Sequence, residues 1–232
     1  MTCTFRNSAV CAALLDDASA SREQGRAPIA QTFGGADAGQ TILLRGEASE
    51  DVYILCFGWA VRAIQLTDGR RQILSIVLPG GLFSPRLLFS QTLNSSIQAL
   101  TPVRFSRLAR SELKERLVTK SGMLEGFASS CLADCEDADE LLADLGQRTA
   151  EERIARLLLR VAAQYRSRNV SKQYHRIPFP MRQQDIADMV GLTSVHVSRV
   201  LRKLRMSGLV EISGGVLTIR DEKRLGRIGA GS

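Results

Sequence analysis

"RQQDIADMVGLTSVHVSRVLRKLRMSGLVEISGGVLTI", Arg182 to Ile219, is the stretch on which the architecture turns. Ile186, Ala187 and Val190 recur at helical spacing and form the inner face of a first helix. Gly191 permits a tight turn, because glycine enters the left-handed backbone region without steric cost. Thr193 is placed to cap a second helix, on which Val197, Leu201 and Leu204 fall at i, i+4 and i+7 as a buried stripe. After "MSGL", the pieces "VEI" and "VLTI" flank Ser213-Gly214-Gly215 and predict a two-stranded wing. Helix, glycine turn, helix and wing in that order have the grammar of a winged helix-turn-helix.

What the second helix leaves outward is Ser194, His196, Ser198, Arg199, Arg202 and Lys203, and Arg182 and Gln183, at the start of the first helix, together with Thr193 and Val195 complete the candidate DNA contacts. Short hydrogen-bonding groups lie at its N-terminal end and cations further along, which suits a helix end set in a major groove with phosphates beside it. A solvated basic helix is the plainer reading, but it would not need the turn, the apolar spacing and the wing together. Charge points the same way. The chain carries +7 overall, divided as −3 up to Gln147 and +10 from Arg148 onward. So lopsided a distribution is the footprint of a polyanion partner, and double-stranded DNA is the one expected. An anionic membrane surface is the rival, disfavoured because no basic stripe is backed by an exposed apolar one.

Working outward, residues 1–27 are small and polar and read as a flexible arm without a secretory pattern, so the expected address is the cytoplasm. No run approaches the roughly 18 apolar residues of a bilayer span. From Thr32 to about Arg110, short apolar runs are separated by Gly39-Gln40, Gly46-Glu47, Gly58, Asp68-Gly69 and Pro79-Gly80-Gly81. They predict an antiparallel sandwich or roll, with Asp68-Gly69 turning a hairpin. Leu124, Ala128, Cys131, Cys135, Ala138, Leu142 and Leu145 then alternate steps of four and three, a heptad seam suited to a parallel contact between two copies. An intramolecular helix packed on the sheet is the alternative. "AEERIARLLLRVAAQY" predicts a further helix, and "RSRNVSKQYH", Arg166 to His175, an exposed loop. An enzyme is not expected, since His175 and His196 fall in a loop and on the reading face rather than in an acid–base constellation.

In order and texture the chain from about Thr32 resembles the Crp/Fnr family of bacterial transcription regulators. "LTDGRRQILSIVLPGGLF" and "AEERIA" are similar to stretches of its Fnr and FixK branches. The resemblance implies an α+β fold: a flexible arm (1–27), a cyclic-nucleotide-binding-like jelly-roll sensor domain (28–120), a dimerisation helix (121–147) and a winged helix-turn-helix domain (148–232). It also implies a homodimer on a near-palindromic site that contacts RNA polymerase through the Arg166–His175 loop and the hairpin from Asp68 to Gln72. Ser198 and Arg199 stand where the Fnr branch has DNA-contacting Ser and Arg. Val195, followed by His196, replaces the family's usual Glu, so a related but altered half-site is expected.

For the signal, relatives that bind cyclic nucleotides carry a Glu where this chain has Pro85 and a phosphate-gripping Arg where it has Ser95, so that ligand is not expected, although Arg86 lies nearby. The Fnr-type iron–sulfur ligand set is absent too, with an apolar residue near Phe105 in place of the cysteine of the sheet domain. Cys3, Cys11, Cys131 and Cys135 leave open a cluster or metal with a variant ligand set. A cross-dimer disulfide and plain core filling are the other two readings of Cys131 and Cys135, and Cys56 reads as core. With only two histidines, neither in the sensor domain, haem is the weakest reading.

Overall fold

A computed structural model of the chain describes residues 30–119, 121–168 and 176–231. The arm, Cys3, Cys11, His175 and most of the Arg166–His175 loop lie outside the described residues. The chain divides into two compact units, one of residues up to Thr67 with Leu74–Glu136, the other of Asp68–Ile73 with Asp137–Ser232.

The first unit contains β1 (Gln31–Ala36), β2 (Thr41–Leu43), β3 (Asp51–Phe57), β4 (Ala60–Gln65), most of β5 (Arg71–Val77), a 3-10 turn at Pro85–Leu88, β6 (Ser96–Ala99), β7 (Val103–Ala109) and α1 (Arg110–Thr119). Two sheets form, in the orders β1-β7-β3 and β2-β6-β4-β5, and their paired strands are antiparallel. Strict alternation along β3 would bury one face only. Instead Val52, Tyr53, Ile54 and Leu55 are all buried. Tyr53 stacks on Phe83 at a centroid distance of 5.8 Å, and Phe105 meets both rings at a tilt, 5.9 Å from Tyr53 and 5.4 Å from Phe83. The strand's free edge is closed by the loop after β5, where Leu55 N–H donates to Gly81 and Phe83 N–H donates to Tyr53, each at 2.9 Å. An edge thus paired gives no template for another chain.

Helix α2 (Ser121–Gln147) runs through the boundary between the units. Met123 and Phe127 join the sheet core, with Cys131 packed against it, and Arg62 on β4 pairs with Asp134 at 3.2 Å. Beyond the boundary Asp144 is buried and ion-paired with Arg148 at 2.9 Å and Arg156 at 2.6 Å; burial holds its carboxyl above the usual range in spite of these cations.

The second unit continues with α3 (Ala150–Arg168), β8 (Arg176–Pro178), α4 (Gln183–Val190), α5 (Ser194–Met206), β9 (Val210–Ser213), β10 (Val216–Ile219) and α6 (Glu222–Ala230). Thr149 and Glu152 cap α3 reciprocally, each side chain accepting from the other's backbone N–H. Ile154, Leu158, Phe179, Val197, Leu204, Leu217 and Leu225 are among the residues of its core. The wing corrects the two-stranded expectation. It has three strands in the order β8-β10-β9, with Ile177 opposite Leu217. Pro178 fits β8 because an edge strand can leave a position without an N–H donor. Helix α6 was not legible beforehand; Asp221 caps it by accepting from Arg224 N–H, and it packs along α3.

Candidate nucleic-acid interface

The interface is built on the α4–turn–α5 frame. Gly191 closes α4 with φ +67°, and a Cβ there would lie 2.9 Å from Leu145 Cδ2. The Arg153 guanidinium donates to the Val190 carbonyl at 3.2 Å, satisfying one of the acceptors the helix end leaves free. Two residues on, the Thr193 hydroxyl accepts from His196 N–H at 3.2 Å and starts α5. Val197 and Leu204 are fully buried, Val200 joins them, and Leu201 is half-buried.

With that stripe fixed, successive residues turn about 100° around the helix and the outward line is Val195, Arg199, Arg202 and Met206. Val195 is 61% exposed and Met206 77% exposed. Large apolar side chains left in water are informative when they share a surface with unpaired cations, and Arg199 and Arg202 have no ion-pair partner among the described residues. Lys203 differs, since its ammonium pairs with Glu151 on α3. His196 is exposed on the same flank as Lys203, and Ser194 and Ser198 are half-buried. Arg182 and Gln183 are exposed at the start of α4, where Arg182 N–H donates to the Asp185 carboxylate at 2.9 Å. Thr193 is exposed, but its hydroxyl is engaged as the cap. Sequence reasoning missed Met206 and Arg205, both exposed; helical spacing from Val195 and Arg202 was the signal for Met206.

Along α2 the seam residues separate into two sets. Leu124, Ala128, Cys135, Ala138 and Leu142 are exposed, Leu124 and Leu142 by 52% and 68%. Cys131 is half-buried against the sheet core, and Leu145 is half-buried against Gly191, so these two turn partly inward. Leu132, 64% exposed, widens the apolar stripe and was not foreseen. Cys56, expected in the core, is only half-buried.

The positions that grip a cyclic phosphate in relatives are apolar or neutral here. Ser95 is fully buried with an unpartnered hydroxyl. Arg86, the possible substitute, is exposed and donates to the Thr92 carbonyl at 3.2 Å. Burial raises the Cys131 thiol, and among the described residues no three Cys, His, Asp or Glu side chains gather to hold a metal; Cys3 and Cys11 of the candidate set lie outside those residues.

A sheet unit of cyclic-nucleotide-binding type, a long helix with an exposed apolar stripe and a winged helix-turn-helix with unpaired arginines define a DNA-binding regulator. Comparison with known proteins agrees. Residues 36–120 match the cyclic nucleotide-binding domain and residues 152–228 the Crp-like helix-turn-helix domain. The nitrogen fixation regulation protein FixK of Azorhizobium caulinodans is 33% identical over 78% of this chain and 73% of its own length. The transcriptional activatory protein AadR of Rhodopseudomonas palustris is 32% identical over 82% of this chain and 78% of its own length. The solved structure of FixK2 from Bradyrhizobium japonicum superposes with a TM-score of 0.77 at 26% identity, covering 86% of this chain and 98% of that one. The chain belongs to the Crp/Fnr family of DNA-binding transcription regulators. These relatives are regulators, not enzymes, and no helix among the described residues is long and apolar enough to cross a membrane.

Proposed function

We propose that the chain is a homodimeric, sequence-specific regulator of transcription that works in the cytoplasm and reads a near-palindromic DNA site. The observation that carries this is the outward line of α5, where Val195, Arg199, Arg202 and Met206 stand exposed and the arginines lack acidic partners among the described residues. Arg199 is the base reader and Val195 an apolar contact for a thymine methyl group. Selection from a pool of random duplexes tests it: a near-palindromic site should be enriched and should survive competitor DNA. Failure to enrich any sequence would sink the reading.

Homodimerisation is supported by the stripe of α2, which is exposed among the described residues. RNA polymerase is the second macromolecular partner, as in the family. The signal is a redox or oxygen-linked one rather than a cyclic nucleotide. Support for excluding the nucleotide comes from Ser95 and Pro85 at the gripping positions. Support for a thiol-based signal comes from Cys135, exposed on the seam between the small Ala128 and Ala138. Two such thiols, one from each copy, would lose two protons and two electrons to a peroxide or disulfide oxidant to form one S–S bond. Replacing Cys131 and Cys135 together by Ser should remove any difference in DNA affinity between aerated and oxygen-free protein. A difference that persists would move the sensor elsewhere.

A further inference from the structure

Beside the reading line lies a second concavity, a cleft of about 240 Å³ between the start of α4, one flank of α5 and strand β9. Its floor is apolar, made by Met181, Ile186 and Leu201 with Val210 and Ile212 of the wing, while Gln183, Ser198, Arg202 and Arg205 contribute its polar groups. A shallow apolar bed under two guanidinium groups is a poor place for a neutral ligand and a good one for an anion.

The arginines carry the argument. Arg199, Arg202 and Arg205 are spaced by three residues, so each successive one turns back about 60° around the helix. The ladder therefore sweeps from the reading line, at Arg199, to the cleft flank, at Arg205. Like charges at i and i+3 on one helix repel, and here no carboxylate among the described residues pairs with any of the three. Some cations of the unit are matched, as Lys203 is by Glu151, Arg220 by Glu211 and Arg166 by Glu222, whereas Arg199, Arg202 and Arg205 lie on one helix within two turns. A self-repelling ladder aimed at a polar-rimmed cleft calls for negative charge from outside. Across the cleft the Gln183 amide, and on α5 the Ser198 hydroxyl, supply neutral donors to orient an oxygen.

We infer that Arg205, with Arg202, Gln183 and Ser198, clamps one backbone phosphate of the bound DNA in this cleft, making Arg205 a positioning contact that reads no base. The inference rests on the proposed DNA reading and divides labour along one helix: Arg199 selects sequence, Arg205 fixes register on the backbone.

Salt titrations of the full chain with Arg205→Gln and Arg205→Lys, on a selected-site duplex and on a duplex of arbitrary sequence, test it. Arg205 is exposed, so the variants should keep the fold, checked by their thermal unfolding. Arg205→Gln should lose affinity by the same factor on both duplexes, and the slope of log affinity against log salt should fall by about 0.9 for each protomer engaged. Arg205→Lys should keep the slope. An unchanged slope in Arg205→Gln overturns the clamp. A loss confined to the selected site makes Arg205 a base reader and overturns it equally. Wild-type protein that binds neither duplex overturns the DNA reading itself, and the clamp with it.

Discussion

Single residues divide the reading face by chemistry. Arg199 offers a planar pair of donors and has no acidic partner among the described residues to give up on binding, so its removal should be felt where a base edge answers it. Arg199→Ala should cost about 1–3 kcal/mol at the selected site and little on arbitrary DNA, measured by competition binding. Equal losses on both would take away its role as reader. Val195 was legible as a departure from the family's Glu, yet its 61% exposure is what makes the departure matter, because a buried valine there would only pack. Two glycines show how local space sets the cost of a side chain. Gly191, at φ +67°, would place a Cβ 2.9 Å from the Leu145 methyl, which can swing aside; Gly58, at φ +85°, would place one 2.3 Å from the Pro102 carbonyl, which cannot. Gly58→Ala should therefore lower the unfolding free energy more than Gly191→Ala, whose cost is mainly the left-handed backbone, about 1–2 kcal/mol.

Elements record which patterns a sequence can state and which it cannot. The α5 stripe at Val197, Leu201 and Leu204 was readable because burial on a helix repeats with its turn, and the cap at Thr193 because a hydroxyl before such a stripe has an N–H to accept. Thr193→Ala should destabilise the protein by about 1 kcal/mol in denaturant unfolding, the ordinary cost of a lost N-cap. Thr193→Ser should restore it. The heptad of α2 was equally readable as a stripe, but periodicity names the residues that share a face and not the neighbours that cover it. Cys131 meets the sheet core and Leu145 meets Gly191, contacts made by residues distant in the chain. Strand β8 escaped notice because three residues ending in Pro178 hold no usable alternation, and α6 because its apolar side is short and broken by Gly226 and Gly229.

At the scale of the whole molecule, charge and symmetry carry the argument. Ten net positive charges lie from Arg148 onward, so the reading unit approaches DNA with little sequence preference. One such unit contacts only a few base pairs, and selectivity must come from binding two half-sites at once. In the proposed homodimer the exposed stripe from Leu124 to Leu142 would supply the means, since two copies that bury it against each other would also hold two reading helices at a fixed repeat. Leu142→Asp puts a charge into that contact without touching the core, because Leu142 is 68% exposed in one copy. The variant should sediment as a monomer and melt in a single transition, lowered only by the loss of the dimer contact. It should bind a duplex carrying both half-sites no better than one carrying a single half-site, whereas the parent protein should favour the double site strongly. Adding about 5 base pairs between the half-sites, half a helical turn, should abolish the parent's preference and leave the variant indifferent. If Leu142→Asp stays dimeric, the seam lies on another face of α2; if the added half turn costs the parent nothing, the two reading helices are not held by the seam at all.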